Sequence, residues 1–162
     1  PPFRRSALFH PAYSVSADGC ETGNIRLAFF NDHLLARATV YEKQRDIIIH
    51  RDLWRNSCLE LFLDFGEGIR QYFFPPVEGA EHGFFLDAER RYQEAPESRC
   101  RLALQDEKHE IELELPFSGN PEEVRLECKL SVCHNGHVQR ATLFGSEEFF
   151  AHSGEFGRFF WK

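Results

Sequence analysis

The sequence predicts an all-β chain folded as an antiparallel β-sandwich of the jelly-roll or immunoglobulin-like kind. Short apolar runs separated by turn residues recur along it, many at spacings of about 8–12 residues. No apolar stripe of helical period persists over about 11 residues or more. The dipeptide Asn135-Gly136 lies between two such runs, Val124 to Cys133 and His137 to Phe144. Asn-Gly suits the type I′ turn of a tight hairpin, because both central residues there need positive φ.

The remaining elements follow in order. Residues 1–23 contain prolines and little alternation, and are expected to be an irregular N-terminal segment of a single domain spanning 1–162. Ile25 to Phe30 and Leu34 to Tyr41 flank the turn dipeptide Asn31-Asp32. In the second run Leu34, Ala36, Ala38 and Val40 alternate with Leu35, Arg37, Thr39 and Tyr41, as one dry and one wet face would. Glu42 to Leu53 is charged and reads as a long loop. Cys58 to Phe65 is a strand ended by Gly66-Glu67-Gly68, and Ile69 to Phe74 another, stopped by Pro75-Pro76. Phe84 to Leu86 is a short apolar run, and the charged stretch Asp87 to Ser98 reads as a loop or single helical turn. Cys100 to Leu104 and Glu110 to Leu115 form a hairpin, the second strand strictly alternating between aliphatics and glutamates. Phe156 to Trp161 is the last strand.

Composition narrows the function. Hydrophobic content of 42% and charged content of 28% are those of a globular chain. A net charge of −7 argues against nucleic acid as a partner, since a phosphate-binding face needs a basic excess. No apolar run reaches the length of about 18 residues that would mark a membrane span, and Pro1 to Ser6 does not read as a leader. Five cysteines (Cys20, Cys58, Cys100, Cys128, Cys133) are an odd number without regular spacing, which favours reduced thiols and a cytoplasmic setting.

The most informative local feature is Trp54, six residues ahead of Glu60. Leu59, Leu61 and Leu63 fall on one face of the strand, Glu60, Phe62 and Asp64 on the other. An aromatic ring beside a carboxylate is what a sugar needs: a platform for its C–H face and an acceptor for its hydroxyls. Leu53 to Asp64 resembles the signature strand of family 9 carbohydrate-binding modules, within the wider DOMON-like group of β-sandwiches. Leu34 to Val40, Glu110 to Phe117 and Ser153 to Phe160 resemble three further strands of that family, in the same order.

The resemblance implies a non-catalytic sugar-binding module whose ligand is a mono- or oligosaccharide, secreted, and open to attachment to a catalytic domain in a longer chain. It implies that two aromatic side chains sandwich a terminal sugar ring while a glutamate binds its hydroxyls. Trp54 matches the first aromatic and Glu60 the glutamate. The second aromatic falls at Phe150, with Phe149 beside it, where the family has a tryptophan. Glu147 and Glu148 occupy its polar loop positions. Phe73 stands where the family has an arginine, so Arg70 or Gln71 would take that part, with Asn56 and Glu147 assisting. A solvent-open cleft lined by Trp54 and Glu60 is the expected geometry.

Other readings are open from the residues. Glu60 can instead pair with an arginine such as Arg37, in a structural or protein-interaction sandwich with no sugar site. A glycosidase needs two facing carboxylates, for which Glu60 with Glu147 or Glu148 is the available pair. His134 and His137 flank the Asn-Gly turn and, with Cys133, are weak metal candidates. No cofactor is indicated; a structural calcium is compatible with the sequence but not indicated by it. The DOMON-like haem reading uses an axial methionine, and the chain has none.

Overall fold

Every strand pairing found is antiparallel, and the pairings separate into two sheets. A computed structural model describes residues 11–17, 19–30, 32–42, 53–66, 68–87, 89–117, 123–134, 137–145 and 154–160. Through them run β1 (Tyr13–Ala17), β2 (Cys20–Phe30), β3 (His33–Tyr41), a 3-10 turn (Leu53–Arg55), β4 (Cys58–Asp64), β5 (Ile69–Phe74), β6 (Gly83–Leu86), β7 (Tyr92–Ala95), β8 (Arg99–Leu104), β9 (Lys108–Pro116), β10 (Glu123–His134), β11 (His137–Thr142) and β12 (Gly157–Phe160). One sheet has the order β1-β2-β3-β9-β8. The other has β11-β10-β4-β5-β6-β7, with β12 also paired to β10. The predicted antiparallel β-sandwich is the fold observed.

Alternation explains the first sheet. Leu34, Ala36, Ala38 and Val40 of β3 and Ile111, Leu113 and Leu115 of β9 point into the core between the sheets. Glu110, Glu112 and Glu114 point out, and cross-strand cations meet two of them: Arg37 lies 2.9 Å from Glu112, and Arg99 3.2 Å from Glu114. The core is completed from the second sheet by Leu59, Leu61, Leu63, Tyr72, Phe74, Leu126 and Leu130. The sheets approach closely at Gly23. A Cβ there would run into the Thr39 carbonyl and lie 2.8 Å from Leu130 of the opposite sheet, so only glycine fits.

Three expectations need correction. Residues 1–23 are not all irregular: β1 and the start of β2 lie among them, Val15 being fully buried. Asp87 to Ser98 is neither a plain loop nor a helical turn, because Tyr92–Ala95 forms the edge strand β7 on β6. An edge strand has one partner and need bury little, so its sequence can stay polar. Leu35, assigned to the wet face of β3, is buried. The charged loop expected over 42–53 lies largely outside the described residues, as does most of the loop expected over 145–155.

The centre of the second sheet, at β4 and β10, is buried on both faces, and this places the candidate site. Its outer face carries Cys58, Glu60 and Phe62 of β4, Phe73 and Gln71 of β5, and Glu127, Lys129, Ser131 and Cys133 of β10. All of these except Gln71 are buried. Phe156, just before β12, packs edge-on to Phe62 at 6.4 Å between ring centres. Leu53, Cys58 and Phe73 form a small second core on this face.

Candidate ligand-binding site

Strand register brings Glu60 directly opposite Lys129 on one side and Phe73 on the other. Glu60 is 0% exposed. Gln71 Nε2 donates to its Oε2 at 2.8 Å. Lys129 Nζ lies 2.8 Å from its Oε1 as an ion pair, outside hydrogen-bond alignment, so Oε1 keeps no aligned donor among the described residues. Lys129 also stands 5.7 Å from the centre of the Phe62 ring, within cation–π range.

Burial raises the Glu60 carboxyl above its ordinary value; the Lys129 ammonium beside it, the hydrogen bond from Gln71 and the more distant Arg140 pull it back down. Ser131, two residues beyond Lys129 on the same face, has a fully buried hydroxyl with no hydrogen-bond partner among the described residues. Glu60 Oε1, ion-paired to Lys129, and the Ser131 hydroxyl thus sit as diagonal neighbours on the β4–β10 pair, at Cβ separations of about 7–8 Å or less for such a pair.

The second acid of this face is already occupied. Glu127 accepts hydrogen bonds from the main-chain N–H groups of Cys128 at 2.9 Å, Leu143 at 2.9 Å and Phe144 at 3.0 Å. It serves as a cap for the backbone after β11. The thiols here are inert: burial, assisted by nearby Glu60, pushes Cys58 well above 9.0, and burial with Glu127 does the same to Cys128. All five cysteines are free, as their odd number suggested.

The sequence-derived residues fall out as follows. Trp54 lies on the 3-10 turn just before β4; its side chain is outside what is described. Asn56 is buried, its N–H bonded to the Leu53 carbonyl at 3.1 Å. Arg70 is on the opposite face of β5 from Glu60, because residues 70 and 71 alternate sides; Gln71 is the residue that reaches Glu60. Phe73, at the position of the family's arginine, is a buried apolar neighbour edge-on to Tyr92 at 5.1 Å. Glu60 does not pair with Arg37, which belongs to the other sheet and binds Glu112. Glu147, Glu148, Phe149 and Phe150 lie outside the described residues. The expected open cleft is not seen over Glu60, whose carboxylate is covered.

His134 and His137 pair across the predicted turn in main-chain register, and His137 is exposed; the side chain of His134 is outside what is described. Among the described residues no cluster of three or more His, Cys, Asp or Glu side chains could hold a metal. An open cleft of about 760 Å³, lined by Tyr41, Glu42, Gln105, Asp106, Glu107 and Lys108, involves no residue of β4 or β10.

Two solved structures superpose on this architecture over nearly its whole length. One is a family 9 carbohydrate-binding module from Caldicellulosiruptor kristjanssonii in complex with glucose, at TM-score 0.69 and 12% identity, covering 94% of this chain and 82% of that one. The other is described as such a module from the same organism in complex with cellotriose, at TM-score 0.66 and 12% identity, covering 94% and 80%. The chain has the fold of a family 9 carbohydrate-binding module. At this identity the likeness is one of fold. No family model and no curated protein matches the sequence. Within the family 9 fold, the strand that carries Glu60 is the central β4 of the larger sheet.

Lys129 and Ser131 were missed from sequence. Arg125, Glu127, Lys129 and Ser131 alternate with Val124, Leu126, Cys128 and Leu130, a pattern that reads as an ordinary wet face. The available signal was their shared face with the Trp54–Glu60 strand, and it required knowing that β10 pairs with β4.

Proposed function

We propose that this chain binds a saccharide without chemically altering it, with Glu60 as the acceptor for sugar hydroxyls and Trp54 as the stacking platform. The observation that carries the reading is the pair of buried oxygens on one sheet face, Glu60 Oε1, met only by the Lys129 ammonium, and Ser131 Oγ, which lack aligned hydrogen-bond partners among the described residues. A polyhydroxylated ring supplies such donors, and a charged acceptor makes the stronger bond. The fold adds support, since neighbours sharing it are described as complexes with glucose and cellotriose. A sugar reaches Glu60 by displacing Lys129, whose flexible stem lets the ammonium swing aside and donate to the ligand in turn. Among the acids described on this face, Glu127 is held by backbone donors and is not free to act as a second carboxyl beside Glu60; Glu147 and Glu148 lie outside the described residues.

Titration calorimetry with glucose and cello-oligosaccharides tests the reading. The unsubstituted chain is expected to bind, and Trp54→Ala to weaken binding by about tenfold or more, roughly 1.4 kcal/mol. The complete burial of Glu60 favours a second reading, in which the Glu60–Lys129 pair is purely internal and the face is closed by protein. On that reading the unsubstituted chain binds no sugar.

A further inference from the structure

A separate buried polar chain crosses one end of the sandwich. Glu42, the residue after β3, accepts a hydrogen bond from Ser57 Oγ at 2.8 Å on its Oε2. His109 Nδ1 of β9 lies 3.0 Å from the other oxygen, a close contact outside hydrogen-bond alignment, both side chains being 1% exposed. Ser57 Oγ in turn accepts from the main-chain N–H of Cys133 in β10 at 3.1 Å. Ser57 itself is fully buried. Glu42 after β3 and Cys133 of β10 therefore meet at the Ser57 hydroxyl, and His109 of β9 joins through Glu42.

That segment is the one that carries Trp54. The 3-10 turn is gripped at its start by Leu53, buried against Cys58 and Phe73, and closed by the Asn56 N–H on the Leu53 carbonyl. Ser57 is the next residue, and its two hydrogen bonds are the polar anchor at the end of the turn. Such a chain has a stability cost, since a carboxylate and an imidazole are taken out of water. An apolar plug would fill the same space without it. A fixed hydrogen-bond direction adds what an apolar plug lacks: it sets the height and orientation of the backbone at one residue.

We infer that Glu42, Ser57 and His109 are positioning residues for the Trp54 turn, His109 orienting the Glu42 carboxylate and Glu42 orienting Ser57. The ligand they serve is the saccharide of the proposed function, so the affinity consequence rests on that reading; the mobility of Trp54 does not.

Trp54 can be read alone in a Trp161→Phe background, since these are the two tryptophans of the chain. Ser57→Ala in that background is expected to raise acrylamide quenching of Trp54 and lower its fluorescence anisotropy, with the β circular-dichroism signal retained. Ser57→Thr, which keeps the hydroxyl, restores both. Sugar affinity is expected to fall about three- to tenfold in Ser57→Ala, the worth of one or two hydrogen bonds. In the unsubstituted chain the Asn56 and Cys133 amides are expected to exchange hydrogen in step, as members of one opening unit; this reading needs neither a variant nor a ligand. Unchanged Trp54 quenching in folded Ser57→Ala, or an Asn56 amide that exchanges freely while Cys133 stays protected, overturns the assignment. Altered quenching without any sugar binding leaves the positioning role standing and removes the saccharide.

Discussion

Lys129→Met is expected to lower the free energy of unfolding by about 3–5 kcal/mol, and adding Glu60→Gln to recover most of that loss. The reason is the burial of both partners: Lys129 is 6% exposed and Glu60 not at all. A single substitution leaves one charge in a dry site with only Gln71 to bond it. The double substitution removes both desolvation costs and leaves a Gln that can still bond Gln71. The loss in Lys129→Met is also expected to depend on pH. The folded-state pKa of Glu60 is raised above its ordinary 4.5 by burial, and removing Lys129 takes away the leading interaction that opposes this. A raised carboxyl contributes stability that is full below the unfolded value and is lost as pH rises through the folded one. Urea unfolding at acidic and neutral pH checks both points: the variant should lie closer to the unsubstituted chain at the acidic end. Additive single effects in the cycle would mean the two groups do not interact.

Glu60→Gln is expected to weaken sugar binding by about 10–150-fold, the loss of a charge-assisted hydrogen bond worth roughly 1.5–3 kcal/mol. The Glu60→Gln, Lys129→Met variant separates this from unfolding, since it lacks the acceptor charge but has no orphaned ammonium. In the unsubstituted chain the same acceptor requirement gives affinity its pH dependence. As pH falls, Glu60 takes up a proton at a higher pH than an ordinary glutamate, because burial raises it. Affinity should therefore decline at a midpoint above 4.5, in calorimetric titrations run over about two units on either side. A flat profile would place the hydroxyl acceptor elsewhere.

Much of the sandwich was legible because most strands bury one face, and alternation records which. β3 and β9 are clear for that reason, and the β10–β11 hairpin is clear because Asn-Gly between two apolar runs is a strong turn signal. β7 was not legible, because an edge strand such as Tyr92–Ala95 buries little and carries no alternating signal; β1 was overlooked although Tyr13, Val15 and Ala17 alternate with serines. The double burial of β4 was half legible, its leucines marking the core while Glu60 looked like a surface acid. Pairing was the larger obstacle. Lys129 meets Glu60 only because β10 lies beside β4, a long-range register that a single sequence does not encode locally. Of the two residues that the sequence offered for the arginine's part, strand parity puts Gln71 and not Arg70 on the face of Glu60.

Chemical-shift mapping of the isotopically labelled chain during titration with glucose and then cellotriose bears most directly on the saccharide site. Gln71 Nε2 is bonded to Glu60 Oε2, so its side-chain amide reports on that carboxylate. The expected result is saturable shifts of the Gln71 side-chain amide and the Trp54 indole N–H, with the Lys129 backbone moving beside them. Shifts confined to the outer face of the β1-β2-β3-β9-β8 sheet, or no shifts with either sugar, would contradict the assignment of Glu60 as a sugar acceptor.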